Sequence, residues 1–189
     1  KGSVMHIPFN LSTKFGPDLK ELPVDKDQFV LARKFILDEM SAKDSMDAHE
    51  LRDRYSLLGY ICRILGLSKE SIDYANKAFK ISLKLNMVLL IAIDQIRLAT
   101  SYHHDDQIEK AEDLFLDSIN ICEQFQPLDE VIDFAYQHYA KLLFDQNKLQ
   151  QSKENFEKAL HFRKKKGIDD LTQSTEFALD LVNKKIQYH

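Results

Sequence analysis

From Lys26 to the end of the chain, large apolar residues recur every three or four positions, as in Ile132, Ala135, Tyr136, Tyr139, Ala140 and Leu143. That spacing gathers them on one face of a helix. The pattern predicts eight helices, at about 26–41, 47–65, 68–85, 87–104, 107–125, 128–146, 149–166 and 170–186. Residues 1–25, with "NLSTKFGPDLKELPVD", hold turn residues and no sustained period, so they read as an irregular N-terminal segment. The helix stops have local reasons. Asp106 with Glu109, and Asn147 with Gln150, fit capping boxes, and Ser68 fits a cap for the helix after Gly66. Pro127 suits a first helical position. Gly167, following "RKKK", suits a helix C-terminus, where cations also favour the dipole. All connections are short, so consecutive helices are expected to pack antiparallel.

Small residues punctuate this pattern at a fixed interval. Gly59, Ala99 and Ala140 lie 40 and 41 residues apart. Seven positions after each comes a hydrophilic turn residue: Gly66, Asp106, Asn147. Twelve after comes Ser71, Ala111 or Ser152, and nineteen after comes Ala78, Ser118 or Ala159. Two helices joined by a tight turn approach closely only where a small side chain faces the partner backbone, and large residues fill the gaps around it. Small residues recur in any antiparallel bundle. Agreement at four positions over two successive intervals favours stacked helical hairpins.

These positions resemble the tetratricopeptide repeat family. Its first helix carries an aromatic, then Leu-Gly, then an aromatic; Tyr55, Leu58-Gly59 and Cys62 match this here. The second repeat offers Gln95, Leu98-Ala99, Tyr102, Ala111 and Phe115; the third offers Tyr136, Tyr139-Ala140, Leu143, Ser152, Phe156 and Ala159. The family's terminal proline is missing, and the period exceeds its usual length of about 34 residues. The resemblance implies an all-α, right-handed superhelical stack of antiparallel hairpins, an α-solenoid of about eight helices. Residues 26–189 form the repeat domain, with clear repeats at about 48–86, 87–126 and 128–166. The helix at 26–41 reads as the second half of a degenerate repeat, and the helix at 170–186 as a polar-backed cap.

Composition narrows the class further. The chain of 189 residues is 44% hydrophobic and 30% charged, with only 5 Gly and 4 Pro, as a soluble helical domain requires. A net charge of −4 argues against a general nucleic-acid binder. No window is apolar enough for a transmembrane helix, and Lys1 to Phe9 carry no apolar run of a secretory signal. Cys62 and Cys122, without a CxxC neighbour, read as reduced buried thiols of a cytoplasmic protein.

The resemblance places the first helix of each hairpin on the concave side. Off the core stripe of these helices lie Tyr60, Arg63, Ile96, Arg97, Thr100, Phe134, Gln137, Lys141 and Phe144. These nine form the expected partner-binding set. Their mix of bases and aromatics suits an acidic or C-terminal peptide, with charge steering it and aromatic pockets anchoring it. Chaperone-binding members of the family clamp a terminal carboxylate with Lys and Asn. The matching positions here hold Ser56, Tyr60, Thr100, Phe134 and His138, so that clamp is absent.

No glycine-rich phosphate loop, GxSxG or HExxH is present, and no catalytic residue, cofactor or metal is expected. "HHDD" at His103–Asp106 reads as a solvated turn, since adjacent histidines diverge on a helix. "RKKK" at Arg163–Lys166 is accounted for by its place in a last helical turn. The expected role is a non-catalytic scaffold or adaptor that binds protein or peptide, with no nucleic-acid or membrane partner. A second reading, also from the resemblance, is the sensory domain of a bacterial signalling protein, binding a small peptide and controlling an output module outside this chain. A third is homo-oligomerisation through the outermost helices.

Overall fold

The structure is a computed structural model that describes residues 6–188, without the side chains of residues 126 and 127. Lys1–Met5, part of the N-terminal segment discussed above, lie outside it. Eight α-helices follow one another among the described residues: α1 Lys26–Ala42, α2 Ala48–Ile64, α3 Ser68–Leu85, α4 Val88–His104, α5 Ile108–Gln124, α6 Ile132–Asp145, α7 Leu149–Lys166 and α8 Asp169–Gln187. They stack as antiparallel hairpins. A short 3-10 helix, Gln126–Glu130, takes up Pro127 in its first turn, so α6 starts later than the apolar pattern predicts. No described helix is long and apolar enough to cross a membrane.

The small residues sit where helices touch. A Cβ on Gly59 would lie 3.1 Å from the backbone nitrogen of Ala75 and 3.3 Å from its Cβ. Twelve residues after Gly59, the fully buried Ser71 donates its hydroxyl to the Gly59 carbonyl at 2.6 Å. Ser152 does the same to the Ala140 carbonyl at 2.8 Å. These positions therefore allow close approach and also pin each helix to its partner. Around the middle repeat, Ala99, Ala111, Phe115, Ala135, Leu142 and Leu143 form one continuous apolar cluster.

The turns differ from the capping boxes expected. Gly66, Asp106 and Asn147 all adopt left-handed backbone, with φ of 79°, 58° and 59°. Each ends the helix before it. The following amide of Leu67, Gln107 or Lys148 returns to the carbonyl of Cys62, Tyr102 or Leu143 at 2.8–2.9 Å, as in a Schellman motif. Ser68 does not cap α3 either; its hydroxyl donates to the His104 carbonyl at 3.3 Å. Gly167 ends α7 with φ 69°, as predicted.

The N-terminal segment holds an ordered element where no regular structure was expected. β1 (Thr13–Phe15) and β2 (Glu21–Pro23) pair antiparallel, with Phe15 opposite Glu21. Gly16, Pro17 and Asp18 make the turn, closed by the Leu19 amide on the Gly16 carbonyl at 3.0 Å. Ile7, Phe9 and Leu11, upstream of it, pack on the α1–α2 core around Phe29 and Ile36.

Candidate partner-binding groove

The first helices α2, α4 and α6 present their off-core faces to a shared hollow. Positions three, four and seven apart stay on one helical face, so α4 contributes Ile93, Ile96, Arg97 and Thr100 together. α2 adds Tyr60 and Arg63, and α6 adds Phe134 and His138; with Val131 and Glu21 they line a cavity of about 310 Å³. A larger cavity of about 750 Å³ lies between the β-hairpin and α6, α7 and α8, with Phe134, Gln137, Lys141, Arg163 and Phe177 in its wall.

Six of the nine expected residues, Tyr60, Arg63, Ile96, Arg97, Thr100 and Phe134, meet in the first cavity. Gln137 and Lys141 fall in the second, which shares Phe134. Phe144 lines neither; it is 4% exposed and packs with Leu19, Ala140, Phe156 and Ala178. Gln137 is 2% exposed and its Oε1 accepts the Thr175 hydroxyl of α8 at 2.9 Å, so it also ties helices together.

The groove is not an open face, because the chain's own hairpin lies in it. Leu19, at its tip, is fully buried against Phe144, Phe156, Ala178 and Val182. Glu21 pairs with Arg63 at 3.2 Å and lies 3.9 Å from Lys141. Phe15 takes the Lys141 ammonium over its ring at 4.5 Å and stacks on Phe177 at 5.9 Å. Burial alone would raise the Glu21 carboxyl, but Arg63 and Lys141 outweigh it and hold it well below the usual carboxylate range. Burial pulls the Lys141 ammonium down to about 8, against the pull of Glu21. It also drives the His138 ring well below its ordinary value, so that ring is neutral at pH 7. Glu21, Phe15 and Leu19 escaped the sequence reading because strands of three residues leave too little alternation to detect. The turn signal Gly16-Pro17-Asp18 was the trace they left.

Arg97 differs from the other bases. Its Nη1 donates to the Ser56 hydroxyl at 2.6 Å, and no carboxylate among the described residues lies within ion-pair distance of it. Its neighbour Arg52 has already taken Asp94, at 2.6 Å. Burial and the Arg52 charge disfavour the Arg97 cation, and the Asp94 carboxylate, beyond ion-pair distance, offsets them only in part. Tyr60 offers it a π face with the guanidinium 6.0 Å from the ring centroid, and Arg63 shares that ring at 5.2 Å. The cavity therefore has apolar walls, a positive side and a guanidinium with free donors.

The histidine pair is not the solvated turn expected of it. His103 is 2% exposed, and its Nε2 lies 3.0 Å from the Asp145 carboxylate, joining α4 to the end of α6. Among the described residues no group of three or more potential ligands could hold a metal ion. Cys62 and Cys122 are free and buried, with burial pushing their thiols up to about 12 and 11.

Residues 53–84 and 135–165 each match the tetratricopeptide repeat family model. Two of its hairpins thus match that family's repeat. The first match covers most of α2 and α3, and the second covers most of α6 and α7, the pairs whose serines bridge at Ser71 and Ser152. The middle repeat lies outside both matches; Gln95 and Ala111 stand at its defining positions. Among solved structures, the chain is similar to the apo form of RapI, at 19% identity and a TM-score of 0.67. It is also similar to BtubC (BKLC) from P. vanneervenii, at 18% identity and a TM-score of 0.59. The similar region covers 87% and 84% of this chain, but only 59% of RapI and 64% of BtubC, less than two thirds of either. At such identities the likeness is one of fold. No curated protein matches the sequence.

Proposed function

We propose that the chain is a non-catalytic scaffold or adaptor that binds an acidic protein or peptide segment in the hollow lined by α2, α4 and α6. The observation that carries this reading is the convergence of Tyr60, Arg63, Ile96, Arg97 and Phe134 on one cavity in which Arg97 has no acidic partner. A half-buried guanidinium with no carboxylate within ion-pair distance gains most when an anion meets it. Apolar walls beside it supply anchoring area. The unpaired cysteines accord with a cytoplasmic setting.

A second reading is a peptide-sensing regulatory domain whose output module lies outside this chain. The enclosed volume of about 310 Å³ favours it, since that space admits a few side chains rather than a broad protein surface. Affinity capture with cross-linking mass spectrometry on wild type and Arg97→Gln tests the groove in either case. The partner should cross-link to α2, α4 and α6 and be lost from R97Q while helical circular dichroism is unchanged. Full retention by R97Q would overturn the groove assignment.

A further inference from the structure

The hairpin in the groove has the features of an occupant rather than of a wall. Its two strands pair only with each other, and such an isolated pair is marginal by itself. The apolar clusters at the centre of the stack, around Phe115 and Leu142 and around Cys122 and Ala159, contain none of its residues. What holds it are three side chains: Leu19 in an apolar pit of α6, α7 and α8 beside the cavities, Glu21 on Arg63 and Lys141, and Phe15 over Lys141.

Leu19 is the telling residue. It has φ 64°, a left-handed conformation that glycine, asparagine or aspartate adopts at lower cost. A turn selected for its own sake would place one of those there. A leucine is held in that conformation by complete burial of its side chain, so the pit selects the aliphatic group. Glu21 follows two positions later, and Leu22, on the opposite face of the strand, is 43% exposed. The hairpin also leaves one charge unmet, because no carboxylate of it reaches Arg97.

Building on the groove reading above, we infer that the partner is a segment that turns at an aliphatic residue and carries a carboxylate two positions on, and that it docks by displacing the hairpin of which Leu19-Lys20-Glu21 is the built-in copy. A second acidic group on the partner, reaching Arg97, gives it the contact that the hairpin lacks. The tether to α1 makes the hairpin a strong competitor, because only Val24 and Asp25 separate β2 from α1. A tether that short raises the local concentration to the order of millimolar or more.

The test uses the full chain and a fluorescein-labelled peptide with the sequence of residues 13–23. Wild type should bind it only weakly, with Kd above about 1 mM. The variant Leu19→Asp with Glu21→Lys should release its own hairpin, seen as faster amide exchange over residues 13–23, and bind the peptide at least about tenfold tighter. A peptide carrying Glu21→Gln should lose most of that gain. Glu21→Gln in the protein alone, a milder change, should raise peptide affinity in the same direction. A released hairpin with intact helical circular dichroism and no gain in peptide binding would overturn the inference. So would an unreleased hairpin in the double variant, or exchange of hairpins between two copies seen as a dimer by light scattering. If capture of a partner still depends on Arg97 while the peptide fails, the groove reading stands and this inference alone falls. If the peptide binds the released variant while R97Q keeps every partner, displacement of the hairpin stands and the contact with Arg97 falls.

Discussion

The stack depends on a few side chains whose size or charge admits no ready substitute. Gly59 is the clearest, since the atom its Cβ would meet at 3.1 Å is backbone of α3 and cannot rotate away. Gly59→Val should therefore destabilise the protein by about 2 kcal/mol, overpacking outweighing the gain in helix propensity. Urea midpoints at unchanged m-value would check it. Ser71 contributes a hydrogen bond rather than space. Ser71→Ala should cost about 1 kcal/mol and leave the packing intact. Asp94 is 1% exposed and accepts from Arg52, Ser56 and Ser82, tying α2, α3 and α4 at one point. Asp94→Ala would leave Arg52, 7% exposed, with only the more exposed Asp53 at 3.1 Å, at a cost of about 3 kcal/mol. Replacing both residues together with apolar ones of similar volume should recover most of that loss in the same unfolding assay.

At the scale of the element, the helices were legible because the apolar period runs through each of them. The interval of 40–41 residues was legible because close approach demands small residues at fixed places. The turn chemistry was not. Asp106 and Asn147 suit a helix N-cap, but both residue types also tolerate left-handed backbone better than most. Only the return of the Gln107 and Lys148 amides to the preceding helix decides between the two roles. A consequence can be measured. Asn147→Gly and Asp106→Gly should each raise stability by a few tenths up to about 1 kcal/mol, because glycine carries no Cβ penalty there. Gly66→Ala should lower it by about 1 kcal/mol. Were Asp106 and Asn147 acting as N-caps, their replacement would instead cost stability, so thermal midpoints of the three variants separate the two assignments.

For the whole molecule, periodicity set Tyr60, Arg63, Ile96, Arg97, Thr100 and Phe134 off the core stripes of their helices, and the family resemblance implied that those faces meet on the inner side of the stack. That this inner side is filled could not be read from either, since the contacts of Leu19 with Phe144, Phe156 and Val182 span more than a hundred residues of chain. Local pattern carries no record of such pairings. Filling the groove also buries bases, and this gives the molecule a predictable response to acid. Burial lowers His138 well below its ordinary 6.5, and His104 to about 2, with Arg63 adding to both. In the unfolded chain the same rings take up a proton near pH 6.5. As pH falls through 6.5 the unfolded state therefore binds more protons than the native state, and stability must fall. Glu21 acts with the same sign lower down. Its carboxyl is held below the usual range in the fold, so its contribution is present above about pH 4.5 and is lost as pH drops toward the folded value. The stability curve should accordingly decline from pH 6.5, by at most about 1.4 kcal/mol per pH unit for each ring, and again below pH 4.5. His104→Gln with His138→Gln should make the stretch between pH 6.5 and 5 shallower and leave the lower one, the remaining slope there coming from His103, which burial also lowers. Glu21→Gln should make the lower stretch shallower instead, with Glu70, held low by Arg33, keeping part of it. Urea midpoints taken across that range would read both effects, and a wild-type curve level from pH 7 to 5 would show that the histidines are protonated in the folded groove.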